Sequence, residues 1–397
     1  MARSPEVSAQ DAPFRDLSLA QLRRRRTEKW RHFPPDVLPA FVAEMDFPLA
    51  PPIERAIVEA VKAGETGYAS ALPELSNALA GFASSRFGWP LDPEGVRVIP
   101  DVMVGVTEFL RVAARPGDAV VINPPVYPPF FSHVPEAGCR IVEAPLAYTE
   151  HGYALDLEPV ERAFREGARF YLLCNPHNPT GRVFTRRQLM NIAELAEEYS
   201  VTVLADEIHA PLVYRGGEHV PFLSLGPPAV ERAIAFVSAS KGWNIPGLKC
   251  AQAVVASDEM RAVLDRLPEE LMARVGNLGV LASVVAYRDA VGWLDELLQI
   301  LDESRKLMVT LLKERLPGVR YFQPQGTYLA WLDCRALKLP QEPVDFFLER
   351  GKVALGPGPR FGSQGKGFVR ITMGTSPAIL TEIVERMAAA VERTRPE

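Results

Sequence analysis

The sequence predicts an α/β protein: a mostly parallel sheet with helices on both faces, plus a smaller α+β domain. Three observations predict it. Between about 97 and 256, short apolar runs alternate with helical runs, which is the pattern of strand–helix–strand crossovers. The apolar runs are continuous rather than alternating, as strands buried on both faces require. Beyond Asp258 the strands stop, and long helical patterns run to about Arg315 before weaker strands return.

Taken in order, residues 1 to about 50 carry many prolines, among them Pro34, Pro35, Pro39 and Pro48, and read as an arm with a short helix. The run Arg23-Arg24-Arg25-Arg26 within it reads as a solvated helix face. From Ile53 to Ala63, the residues Ile53, Ala56, Ile57, Ala60 and Val61 share one helical face, and Gly64 stops the helix. Thr66-Gly67-Tyr68 is a turn that leaves an aromatic hydroxyl exposed, and a second helix covers Pro73 to Phe87. Strands are expected at 96–99, 119–122, 140–142, 169–174, 201–205, 234–237 and 251–256. The helix after Thr185 shows the helical signal plainly: Thr185 is the N-cap and Leu189, Ile192, Ala193 and Ala196 follow at i, i+3, i+4 and i+7. A hinge near 288–300 leads to weak strands at 319–322 and 328–333, a helix near 343–350, a Gly-rich loop at 356–367, a strand at 368–373 and a final helix from Ser376. The domains expected are an arm and part of the small domain over 1–50, a large domain over 51–290 and a small C-terminal domain over 291–397.

Composition narrows the function classes. A chain of 397 residues with 47% hydrophobic residues can bury large cores, and a net charge of −5 provides no overall basic field for nucleic acid. Cys139, Cys174, Cys250 and Cys334 are too scattered for a metal site and too few to staple the chain, which points to reduced thiols in the cytoplasm. No stretch approaches the roughly 18 apolar residues of a membrane helix, and the N-terminus has no apolar core of signal-peptide length.

The chemistry gathers at strand ends. Lys241 follows the apolar run Ile234–Val237, past Ser238-Ala239-Ser240. Asp206 follows Val-Thr-Val-Leu-Ala, Asn178 lies in Asn175-Pro-His-Asn-Pro-Thr-Gly181 after Tyr-Leu-Leu-Cys, and Tyr127 follows Val-Val-Ile-Asn. Singly, each has a plain reading: a surface lysine, a helix cap, a turn, a core aromatic. A parallel sheet brings all four loops to one edge, where an amine, an acid, an amide and a ring converge. That set meets the needs of pyridoxal phosphate. The aldehyde needs the lysine, the pyridine nitrogen needs Asp206, the ring needs a face such as Tyr127, and the phenolate oxygen needs a donor such as Asn178. The phosphate needs a helix N-terminus, for which Val104 and Gly105 stand after the first strand, together with Ser238, Ser240 and Lys249.

These motifs resemble, in order and separation, those of the fold-type-I pyridoxal phosphate enzymes of the class I/II aminotransferase family. Within it, Ala43-Glu-Met-Asp46-Phe, Pro125-Val-Tyr127-Pro-Pro-Phe, Asp206-Glu-Ile-His209-Ala-Pro and Ser240-Lys241-Gly-Trp-Asn-Ile-Pro-Gly-Leu are similar to the carbon–sulfur β-lyase branch, the MalY/PatB-like cystathionine β-lyases. The resemblance implies that Lys241 carries the cofactor, Asp206 pairs with its ring nitrogen, Asn178 and His209 lie near its phenolate oxygen, and Tyr127 stacks on the ring. It also implies that Tyr68 reaches the phosphate of the partner in a homodimer, and that Arg370 grips the substrate carboxylate, where an ordinary structural ion pair is the other reading. Two positions depart from the pattern: Lys249 stands where many relatives have arginine, and His209 where transaminases often have tyrosine. The loop Gly356–Gly362 reads either as a mobile cover over the site or as a plain surface loop.

The activity expected is β-elimination from cystathionine or another S-substituted cysteine, giving a thiol, pyruvate and ammonia. An aminotransferase uses the same lysine, and a regulatory binding protein on this scaffold is the rival of another class.

Overall fold

Seven strands form the large sheet: β1 (Val96–Ile99), β2 (Ala119–Ile122), β3 (Arg140–Glu143), β4 (Phe170–Cys174), β5 (Thr202–Asp206), β6 (Ala233–Val237) and β7 (Ala251–Val254). They lie in the order β1-β7-β6-β5-β4-β2-β3, and only β7 runs against its neighbours. The computed structural model describes residue 14 and residues 17–70 and 73–394; the start of the expected arm, residues 1–13, 15 and 16, lies outside the described residues. Every expected strand of this sheet forms, with ends shifted by a residue or two.

The longer helices include α1 (Pro51–Ala63), α2 (Pro73–Phe87), α3 (Val102–Ala113), α4 (Arg186–Glu198), α5 (Asn277–Asp289), α6 (Val291–Arg315), α7 (Pro343–Gly351) and α8 (Pro377–Glu392). Successive strand residues face opposite sides. Val120, Ile122, Leu172, Leu204 and Phe236 therefore pack with Val106, Phe109 and Leu110 of α3, while Val121, Tyr171, Leu173 and Val203 pack with Leu189, Ile192 and Ala193 of α4. Helix α4 begins in a capping box between Thr185 and Gln188. Gly105 sets the spacing of α3 from the sheet, because a Cβ there would lie 2.3 Å from Ile99 Cδ1 and 3.0 Å from the Phe236 ring.

A second, antiparallel sheet holds β8 (Arg320–Tyr321), β9 (Leu329–Asp333), β10 (Gly356–Pro357) and β11 (Phe368–Thr372), in the order β8-β9-β11-β10. It has its own apolar cluster, in which Ala330, Leu332, Val369 and Ile371 meet Met308, Leu312, Phe346, Leu380 and Val384. The N-terminal arm joins this unit, since Leu38–Pro39 pairs in parallel with Val353–Ala354.

Five local expectations change. The arginine run forms a turn between two short helices, Leu19–Leu22 and Glu28–Arg31, rather than a helix face; Arg25 turns inward and donates to Met45 O and Phe47 O. A hairpin of Ala147–Thr149 and Gly152–Ala154, too short to show a period, was not expected. The expected hinge is a break at Ala290 followed by the unbroken 25-residue helix α6, and Trp243 Nε1 donates to Ala290 O at 2.9 Å. The Gly-rich loop is pinned: it contains β10, Phe361 is 1% exposed, and Val126 N donates to Phe361 O at 2.9 Å. In α1, Ile53 and Ala60 are buried as expected, but Val61 is 52% exposed.

Candidate active site

Strand register brings the loops together. Cys174 pairs with Asp206, and Asp206 with Phe236, so the segments after β4, β5 and β6 leave the sheet side by side. They do so at its carboxyl edge, where open α/β sheets bind ligands. A cavity of about 360 Å3 opens there, lined by Lys241, Asp206, Asn178, His209, Tyr127, Ser238, Ser240, Lys249, Val104 and Arg370. Of the expected residues only Tyr68 and Gly105 do not line it.

Lys241 rides on a short turn, Ala239–Gly242, capped by Ser238 Oγ, which accepts from Ser240 N at 3.1 Å. Its Nζ donates to Ala43 O at 3.1 Å. Burial, then the nearby Arg370, lower the amine to about 8, against the opposing pull of Asp206 and Glu44. Asp206 is the last residue of β5 and only 3% exposed; its Oδ1 accepts from Ile208 N at 3.1 Å. Burial pushes its carboxyl up to about 7, and Lys241 opposes this only through space.

Arg370 lies in β11 opposite Trp331 on one side and Gly356 on the other. A Cβ on Gly356 would stand 3.2 Å from Arg370 Cβ, so the glycine gives the arginine room. The Arg370 guanidinium donates to Asn178 Oδ1 at 3.2 Å and to Phe41 O at 2.8 Å, and stacks over the Phe361 ring at 5.1 Å. Its Nε is buried without a partner, as is Nδ1 of His209. Burial, together with Lys241 and Arg370, holds His209 well below its usual range, so the ring is neutral. Tyr127 stays a phenol, with burial and then Asp206 raising it to about 12.

The end of the cavity at α3 departs from expectation in three ways. Asp101 caps α3 by accepting from Val104 N at 2.9 Å, and Gly105 N donates to Asp101 O at 3.0 Å, so neither expected amide is free. The unpartnered first-turn amides are those of Val102 and Met103, because the cap takes the third. Ser238 Oγ donates to Cys250 O at 2.7 Å, which leaves Ser240 as the hydroxyl available to a ligand. Lys249 adopts a left-handed backbone, φ 54°, and its Nζ lies 3.3 Å from Asp101 Oδ2, offsetting a negative charge at a helix start suited to anions.

The groups left unsatisfied define what the cavity accepts. A buried carboxyl lacks a close cation, two buried nitrogens, Arg370 Nε and His209 Nδ1, lack partners, and an amine of lowered basicity faces the open space. Pyridoxal phosphate fits this set, with a protonatable ring nitrogen, a ring oxygen, an aldehyde and an anionic tail. Sequence reasoning missed the backbone carbonyls of Phe41 and Ala43, the Tyr328 hydroxyl that donates to Ala43 O at 2.9 Å, and Asp101. Only Asp101 had a signal, as an N-cap residue before an apolar run. Among the described residues no cluster could hold a metal ion, and no helix is long and apolar enough to cross a membrane.

Comparison with known proteins places this geometry among relatives. The family model described as aminotransferase class I and II matches residues 43–387. A candidate cystathionine beta-lyase of Mycobacterium leprae (strain TN) is 44% identical over 96% of this chain and 99% of its own length. The cystathionine beta-lyase of Corynebacterium glutamicum is 36% identical over 94% of this chain and 99% of its own. The crystal structure of a candidate PLP-dependent beta-cystathionase from Corynebacterium diphtheriae superimposes with a TM-score of 0.91 at 35% identity, covering 96% of this chain and 99% of that one.

Proposed function

The chain belongs to the class I and II aminotransferase family, and from that premise we propose that it is a pyridoxal phosphate-dependent carbon–sulfur β-lyase. It cleaves cystathionine or another S-substituted cysteine to a thiol, pyruvate and ammonia. The observation that carries the reading is the convergence of Lys241, Asp206 and Arg370 on one cavity, in a chain whose relatives over nearly its full length include a cystathionine beta-lyase. When bound, the cofactor supplies an aldehyde to hold the substrate's amine and a ring that accepts the electrons of the broken Cα–H bond.

The residues divide the remaining work. Lys241 Nζ would hold the cofactor's aldehyde, and as a free amine lowered to about 8 it is suited to take the substrate's Cα proton. Asp206 keeps a proton on the ring nitrogen. Arg370 holds the substrate carboxylate in a two-point grip, which turns the Cα–H bond toward Lys241. Asn178 and the neutral His209 would serve the ring oxygen, Tyr127 would cover the ring face, and Ser240, Lys249 and the start of α3 would hold the phosphate.

A homodimer with shared sites belongs to the same reading. Tyr68 is 91% exposed and outside its own chain's cavity, and Val58 and Val61 of α1 stand 43% and 52% exposed nearby in sequence. A cytoplasmic location fits four buried, unpaired cysteines. The division into 1–50, 51–290 and 291–397 belongs to the same reading: Ala330, Leu332, Val369 and Ile371 on one face of the small sheet have an apolar cluster of their own, while Leu329, Trp331 and Phe368 on the other face join the cluster of the large sheet. The test is incubation of the loaded protein with cystathionine and with smaller S-substituted cysteines. Free thiol with pyruvate is the expected outcome; an oxo acid that keeps its sulfur side chain would assign a transaminase instead. Lys241→Ala abolishes turnover.

A further inference from the structure

The segment Ala43-Glu44-Met45-Asp46-Phe47 carries no side chain assigned above, yet polar contacts grip it from both directions. Asn244, three residues after Lys241, donates from Nδ2 to Met45 O at 2.9 Å and accepts at Oδ1 from Met45 N at 2.9 Å. Asn244 does so from a left-handed backbone, φ 56°. On the other side, Lys29 Nζ lies 2.7 Å from Asp46 Oδ2 and also donates to Glu44 O at 3.2 Å, while Trp30 Nε1 donates to Asp46 Oδ1 at 2.8 Å. Lys29 is 1% exposed and Asp46 4%. A buried ion pair of this kind is weak support for stability, since apolar residues of similar volume often serve as well. Its retention needs another reason, and the carbonyl at the head of the segment supplies one: Ala43 O accepts from both Lys241 Nζ and Tyr328 OH.

We propose that Asn244 and the buried Lys29–Asp46 pair are positioning residues, clamping residues 43–47 over the site so that the Ala43 carbonyl fixes the Lys241 amine. This deepens the lyase reading and rests on it. The clamp has two effects. It orients an otherwise flexible amine toward the cavity, and it lays backbone over that amine and excludes water from it. The charged and titratable groups facing Lys241 are Arg370, Asp206, Glu44, Lys249 and His209, with the Tyr328 hydroxyl on the shared carbonyl. None belongs to the clamp except Glu44, whose backbone carbonyl Lys29 holds.

Two variants test it. Asn244→Gly suits the left-handed backbone and deletes only the two bonds to Met45. The double variant Lys29→Met with Asp46→Leu replaces the ion pair by apolar volume. The first readout needs no cofactor: acylation of Lys241 by acetic anhydride in the ligand-free protein, followed by peptide mass spectrometry across pH. A midpoint near 8 is expected for the parent protein, moving upward by about one unit in both variants as water reaches the amine. In the loaded protein, kcat for thiol release falls about tenfold or more in both, while the double variant keeps the parent melting temperature. An unmoved acylation midpoint in Asn244→Gly, or a double variant with parental midpoint and kcat, would overturn the proposal. If the parent released no thiol at all, the lyase reading would fail while the acylation result still judged the clamp.

Discussion

Asp206 is held in conflict with its own ionisation. In the unfolded chain a carboxyl of this kind loses its proton near 3.8, whereas burial in the fold delays that loss to about 7. Between those values the unfolded chain binds fewer protons than the folded one. Stability of the ligand-free protein therefore falls as pH rises from about 4 to about 7 and stays low above it. Asp206→Asn removes the conflict. The ligand-free variant is expected to melt about 2 °C or more above the parent at pH 8, with the gap closing toward pH 4, while turnover drops by about 100-fold or more. Scanning calorimetry at the two pH values checks the sign, and an equal gap at both would refute it. Arg370 makes a different demand at the same scale. Its planar fork, aimed by Asn178, Phe41 O and the Phe361 ring, can hold a carboxylate at two points, and an ammonium cannot. Arg370→Lys should raise KM about tenfold or more for substrates bearing a free α-carboxylate, a change read directly from initial rates.

Helix α3 is the element on which the anion end of the site depends, and its position follows from one glycine. A methyl at Gly105 would meet Ile99 and Phe236, so Gly105→Ala pushes the helix outward. A loss of about 1–3 kcal/mol in stability is expected, together with weaker retention of the cofactor, measured by dialysis against buffer and recovery of absorbance. Unchanged retention would mean that the start of α3 does not hold the phosphate. The strands around it were legible in sequence because continuous apolar runs such as Ala119–Ile122 and Phe170–Cys174 have few other uses, whereas their register was not, since strands buried on both faces have no alternation to pin it. Roles that depend on a competing hydrogen bond were not legible. That Ser238 spends its proton on Cys250 O is a fact of three-dimensional proximity with no pattern in the chain, whereas the cap that Asp101 places on the Val104 amide, three residues on, has a local signal. Backbone acceptors such as Ala43 O and Phe41 O are hidden for a stronger reason, since every residue carries one.

For the molecule as a whole, one exposed aromatic bears on the homodimer proposed above. Tyr68 presents its ring to solvent, shortly after a helix whose Val58 and Val61 are likewise exposed, so these side chains are open to another surface. If that surface is a second copy related by a two-fold axis, each cavity takes Lys241 from one chain and Tyr68 from the other. Complementation then separates the two geometries. Lys241→Ala is dead and Tyr68→Phe is expected to be severely weakened, so neither homodimer contributes much. Mixed, unfolded and refolded together, half the dimers become hybrids in which one cavity carries both defects and the other carries neither. Activity should return to about a quarter of the parent value per cavity. Were Tyr68 to serve its own chain's cavity, each hybrid cavity would keep one defect and no activity would return. The same mixture run with Val61→Asp built into both chains should stay inactive and sediment as monomer, because a buried carboxylate on the α1 face would oppose pairing.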